Sequence, residues 1–105
     1  MSDIAGTPKP PYYAVIFTSH RTPGDNGYDE VAERMVRLAS QQPGFLGIES
    51  AREEVGITVS YWDDLKSIQR WKEHIEHQKA QKSGHKIWYS AFQVRIAKVE
   101  HDYRM

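Results

Sequence analysis

Residues 12–19 read YYAVIFTS, a run of aromatic and β-branched side chains that turns polar only at its end. Such a run fits an extended strand. Successive side chains of a strand point to opposite faces, so Tyr13, Val15 and Phe17 share one side and Tyr12, Ala14 and Ile16 the other. Both sides are apolar. A strand with one wet face alternates apolar and polar residues, so this one needs cover above and below. That requirement constrains a chain of 105 residues, which is the size of a single domain.

The rest of the chain offers only two helical stretches to supply that cover. After the turn signals Pro23-Gly24-Asp25-Asn26-Gly27, the residues Tyr28, Val31, Ala32, Met35, Leu38 and Ala39 recur at helical spacing. Asp25 or Asn26 can cap this helix, and Pro43-Gly44 ends it. Residues 45–52 and 57–62 read as two strands joined by a tight turn at 53–56. Asp63 and Asp64 offer caps for a second helix with its apolar stripe on Leu65, Ile68, Trp71 and Ile75, fading near Gly84. Residues 85–90 allow one further turn, and 91–101 alternate as a last strand. The order β-α-β-β-α-β predicts an α+β, ferredoxin-like fold with a four-stranded antiparallel sheet and both helices on one face. The single domain spans 12–105. Residues 1–11, with Pro8, Pro10 and Pro11, read as a flexible N-terminal arm.

Two helices cover one face of four strands, and no element remains for the other. A second copy of the same sheet is the economical cover, since closed twofold pairing is the commonest oligomer. A homodimer is therefore expected.

Composition excludes several classes. The formal net charge is +0, whereas nucleic-acid binding needs a surplus of Lys and Arg on one face. The chain has no cysteine, hence no disulfide, thiolate metal site or cysteine nucleophile. No signal-peptide pattern and no membrane-length apolar run is present. A soluble, cytoplasmic protein with neither nucleic-acid nor membrane partners is expected.

The second helical stretch gathers Trp71, His74, His77, Gln78 and Gln81 at three- and four-residue spacing. Trp62 stands just before it and Trp88-Tyr89 just after. A pocket between this helix and the sheet, lined by tryptophan and tyrosine and carrying one or two histidines, suits a flat aromatic ligand. His77 is the expected proton-handling residue, because imidazole works near neutral pH. Trp62 and Trp71 are its expected companions, and His74, Trp88, Tyr61, Tyr89 and Arg95 are further candidates to hold substrate. Each has a plainer role: the tryptophans as core anchors, one histidine on a solvated face, Arg95 in an ion pair with Glu49 or Glu100. His74 and His77 lack the i,i+4 spacing of a zinc-protease helix, and no further ligand is evident, so no metal is expected.

Several segments together resemble the antibiotic biosynthesis monooxygenase family: Pro43-Gly44-Phe45-Leu46-Gly47, Ile57-Thr58-Val59-Ser60-Tyr61-Trp62, Ile68-Gln69-Arg70-Trp71-Lys72, His77 with Ala80-Gln81, and Trp88-Tyr89. The resemblance covers residues 12–103. It implies the dimeric α/β-barrel form of the ferredoxin-like fold. It also implies a monooxygenase that oxidises a small aromatic or quinol-like substrate without metal or flavin, the substrate's own electron-rich ring activating oxygen. Trp62 matches a tryptophan of the quinol-type site, while Thr58 and Ile68 stand where that pattern has asparagine and tyrosine. Trp71 matches a tryptophan of haem-degrading relatives, while Gln81 stands at their iron-ligating histidine. Expected cofactors are therefore none. A haem-binding or haem-degrading protein and a non-catalytic small-molecule-binding dimer are the alternatives.

Overall fold

The two-faced strand is found near the middle of the sheet, paired on both edges. The computed structural model describes residues 4–82 and 88–105, with the side chains at 77–82 outside that description. The elements are β1 (Tyr12–Arg21), α1 (Tyr28–Ser40), β2 (Phe45–Arg52), β3 (Val55–Trp62), α2 (Leu65–Lys82) and β4 (Tyr89–Val99). One sheet orders them β2-β3-β1-β4, antiparallel throughout. This is the ferredoxin-like arrangement that the sequence predicts. No helix among the described residues is long and apolar enough to cross a membrane.

Strand ends differ from the sequence reading. β1 runs on to Arg21 because His20 and Arg21 still find partners in Ala91 and Tyr89, with an irregularity between them. β4 accordingly begins at Tyr89 rather than 91. β3 begins at Val55 because Arg52 pairs with Gly56 across the turn. The expected cap at Gly84 and the first half of the turn expected at 85–90 lie outside the described residues, and Tyr89 and Ser90 already belong to β4.

Helix starts are fixed by aspartates. Asp25 accepts from the amides of Gly27 (2.9 Å) and Asp29 (3.3 Å), two of the donors left over at the head of α1. Asp64 accepts from the Ser67 amide at 2.7 Å and heads α2. Between them, Gly44 sits at φ +85°, a conformation that side chains disfavour, and a Cβ there would collide with Ser67. Its carbonyl takes the Asp63 amide at 2.8 Å. The α1–β2 turn is thus pressed onto the first turn of α2.

The core lies on the helix side. Ala39 of α1, Trp62 of β3, and Ile68 and Trp71 of α2 are buried together, with Tyr13, Val15, Met35, Leu38, Phe45 and Ile75 packed around them. The helices therefore cover the odd-numbered side of β1. On the other side, Tyr12 and Ala14 are each only 4% exposed. The Ala5 amide donates to Glu49 (2.9 Å), Thr7 Oγ1 donates to the Tyr12 hydroxyl (2.9 Å), and Arg104 donates to the Thr7 carbonyl (3.1 Å). The two chain termini thus cover one corner of this face, which corrects the expectation that nothing in the chain is left to do so. Farther along, Ile16 and Val59 are half-buried and Ile57 is exposed.

Candidate functional site

On the helix side, β3 and α2 place three flat rings in a stack. Trp62 and Trp71 lie 6.1 Å apart between centroids at 26°, and Trp71 and His74 lie 5.6 Å apart at 20°. Helical spacing makes the second contact, since residues three apart are surface neighbours. Phe45 meets the far side of Trp62 edge-on at 5.5 Å. Trp62 is fully buried, and its indole N–H donates to Ser60 Oγ at 2.9 Å. The His74 Nε2 atom is also buried but has no hydrogen-bond partner among the described residues. A buried polar atom without a partner costs about 1–3 kcal/mol, so such atoms mark places where a water, ion or ligand belongs. His77 lies one turn further along α2, and its side chain falls outside the described residues.

A second aromatic group stands beyond the stack on the same face. Phe17 packs against Tyr89 (5.2 Å) and Phe92 (5.5 Å), and Tyr89 meets Tyr28 at 5.7 Å. The Tyr89 hydroxyl donates to that of Tyr28 at 3.2 Å. Burial first, and this hydrogen bond second, hold the Tyr89 phenol well above its ordinary range. Trp88 donates from its indole to the Asn26 carbonyl at 3.0 Å and so ties the loop before α1 to β4. Phe92, Val94 and Ile96, on the helix side of β4 by their pairing with Ser19, Phe17 and Val15, remain about half exposed. They form an apolar floor open to solvent.

Two expected residues sit on the opposite face. Tyr61 pairs with Ala14, and its hydroxyl donates to Glu49. Burial and that carboxylate hold its phenol above the ordinary range. Arg95 pairs with Ile16, is exposed, and donates to the Gln93 side chain at 2.8 Å rather than pointing into the interior. The reason is parity: neighbours of Trp62 and of Val94 or Ile96 must face away from them. The same parity picks out Ser60 and Phe17, which the sequence reading passed over. Tyr28, first of the helical pattern in α1, and Phe45, at the start of β2, carry no sequence signal that sets them apart from core residues. Among the described residues, no group of three or more His, Cys, Asp or Glu side chains is arranged to hold a metal ion.

The sheet order and the one-sided helices define a ferredoxin-like protein with an aromatic, histidine-bearing wall beneath α2. The chain belongs to the antibiotic biosynthesis monooxygenase family, whose pattern matches residues 11–83. It is 55% identical over 102 residues to the uncharacterized protein YqjZ of Bacillus subtilis (strain 168), a match spanning 95% of this chain and 90% of that one. Among solved structures, SnoaB of Streptomyces nogalater, a cofactor-independent oxygenase, is similar with a TM-score of 0.64 at 13% identity, covering 91% of this chain and 98% of SnoaB. A protein of Shewanella oneidensis is similar with a TM-score of 0.70 at 10% identity, covering 85% and 91%. At these identities the structural likeness concerns the fold.

Proposed function

We propose that this protein is a cofactor-independent monooxygenase acting on a small aromatic or quinol-like substrate, working as a homodimer in the cytoplasm. The observation that carries the reading is the unpartnered, buried imidazole nitrogen of His74 at the end of the Trp62–Trp71 stack, in a chain of this family. A flat ring would lie against the stack and the floor of Phe92, Val94 and Ile96. The imidazole of His74, or that of His77 one turn further along α2, would take the proton from a ring hydroxyl. The resulting phenolate is electron-rich enough to reduce dioxygen. One oxygen atom bonds to a ring carbon as a hydroperoxide. That carbon then loses its hydrogen, the O–O bond breaks, and water leaves, so that phenol and dioxygen become quinone and water. The protein's share is orientation and proton transfer, the latter worth typically 10²–10⁴-fold. Trp71 and Trp88 position the ring, Trp62 backs Trp71 from within the core, and Tyr89 closes the far end. Tyr61 and Arg95 belong to the face where a second protomer would pack.

The SnoaB likeness supports this reading at the level of fold, and a cofactor-free route matches the description of that enzyme. The test is oxygen uptake with a panel of naphthols and quinols, for the wild type, His74→Ala and His77→Ala. Uptake with at least one compound, lost in one or both variants, is expected. No uptake and no binding across the panel would reject the proposal. Adding haem separates the alternative: a Soret shift abolished by either histidine variant would favour haem ligation instead.

A further inference from the structure

At the far end of the same face, a row of polar groups crosses the sheet. Arg52 leaves β2, passes over Gly56 of β3 and reaches β1, where it donates to the Ser19 carbonyl at 3.4 Å and to the Ser19 hydroxyl. A Cβ at position 56 would strike the guanidinium, so glycine keeps that passage open. On the other side, the Arg21 guanidinium lies 3.5 Å over the Tyr28 ring, beside the Tyr28–Tyr89 hydroxyl pair. Arg21 donates to the carbonyls of Trp88, Gly24 and Asp25. The hydrogen bonds drawn from both guanidiniums thus go to neutral oxygens, and both positive charges act on the Tyr89 hydroxyl. Arg52 is exposed and Arg21 partly so, leaving both within reach of a ligand.

The position of this row relative to His74 follows from element geometry. α2 starts beside Trp62 and runs back along the sheet in the direction of β1. It rises about 14 Å from Leu65 to His74. β1 rises about 13 Å from Tyr13, which faces Trp62 across the ladder, to Phe17. The His74 backbone therefore stands near the level of Phe17, and Ser19 with Arg52 lies about 7 Å further on along the strand direction. A skeleton of two fused aromatic rings is about as long as that offset.

We infer that the row formed by Arg52, Arg21 and the Tyr28–Tyr89 pair is a binding site for an acid group on the substrate, whose class is a hydroxyaryl carboxylate. The inference rests on the oxygenase pocket proposed above and specifies what that pocket selects. The ring hydroxyl meets His74, the rings lie on the apolar floor, and the carboxylate takes charge-assisted hydrogen bonds from the arginines, the bonds to which guanidinium is best suited.

The test compares 6-hydroxy-2-naphthoate with 2-naphthol, which lacks the acid group, by quenching of tryptophan fluorescence. The acid should bind about tenfold more tightly, the equivalent of one charge-assisted bond. Arg52→Gln should bring the two affinities together, Arg52→Lys should retain part of the preference, and added salt should weaken it. Circular dichroism verifies that the variants fold, and Arg21→Gln provides an independent second arm. Equal affinities in the wild type overturn the inference, as does a preference that survives both glutamine variants. Turnover of neutral naphthols without preference for the acid removes the acid site and leaves the oxygenase reading standing. Neither binding nor oxygen uptake removes both.

Discussion

His74 presents a conflict between stability and function that a single substitution can expose. Its ring stacks on Trp71, while its Nε2 is buried without a partner among the described residues. Phenylalanine keeps the stack and removes the orphaned nitrogen. His74→Phe should therefore raise the free energy of unfolding by about 1 kcal/mol, read by urea titration. In the same protein, oxygen uptake should fall by about 10²-fold or more if the imidazole transfers the proton. A loss of stability would mean that the nitrogen has a bonding partner in solution and that the residue is structural. Trp62 behaves differently. It is fully buried and satisfied by Ser60, so its removal damages the core before any chemistry. Parity along the strand already separates such residues: Trp62 faces the helices, so Tyr61 cannot, and Arg95 is set apart from Val94 and Ile96 in the same way. The sequence therefore held enough to place two candidates on the helix-free face. It held less about Arg52, whose path depends on the absence of a side chain at Gly56, across the hairpin.

Between the elements, the connection from α1 to β2 is where the fold is least tolerant. Gly44 combines a positive φ with a side-chain position occupied by Ser67. Gly44→Ala should cost about 2–4 kcal/mol, joining backbone strain to overpacking. Ser67→Gly in that background should restore the steric part but not the strain, so recovery of only part of the loss is expected in thermal melts. The start of α2 gives a pH prediction. The amide and hydroxyl of Ser67 hold the Asp64 carboxyl below its ordinary value of 3.8. A carboxyl lowered in the folded state adds stability above that ordinary value and loses it as pH falls through the folded value. Asp64→Ala should thus be less stable than wild type at neutral pH and indistinguishable from it at strongly acid pH. Asp64→Asn, which keeps an accepting oxygen, should be closer to wild type at neutrality and flatter in acid. The capping aspartates and Pro43-Gly44 were legible because local chemistry alone sets them. Strand ends were less so, because partners far along the chain decide where pairing stops: Tyr89 with Arg21, and Gly56 with Arg52.

For the molecule as a whole, the question is what covers the helix-free face. The apolar run at residues 12–19 accounts for the sheet and for helices covering one side of it. That run does not announce the corner that the chain closes for itself. There the contacts run through a backbone amide at Ala5 and through Thr7, Asp102 and Arg104 around Tyr12, which no apolar pattern announces. The rest of the face keeps Ile16 and Val59 half-buried and Ile57 45% exposed. Apolar surface of this kind on a small domain favours association. A twofold partner packed there would bury Ile16 near its centre and leave the helix side of each protomer free. Ile16→Glu would then force a carboxylate into the interface, a cost of several kcal/mol that would split the pair. Sedimentation at micromolar concentration should accordingly give a dimer for the wild type and a folded monomer for Ile16→Glu, with the fluorescence of Trp62 and Trp71 unchanged. If the wild type sediments as a monomer, the helix-free face is wet and the pairing proposed for it does not exist. The stack of Trp62, Trp71 and His74 would survive that result, because it is built within one chain.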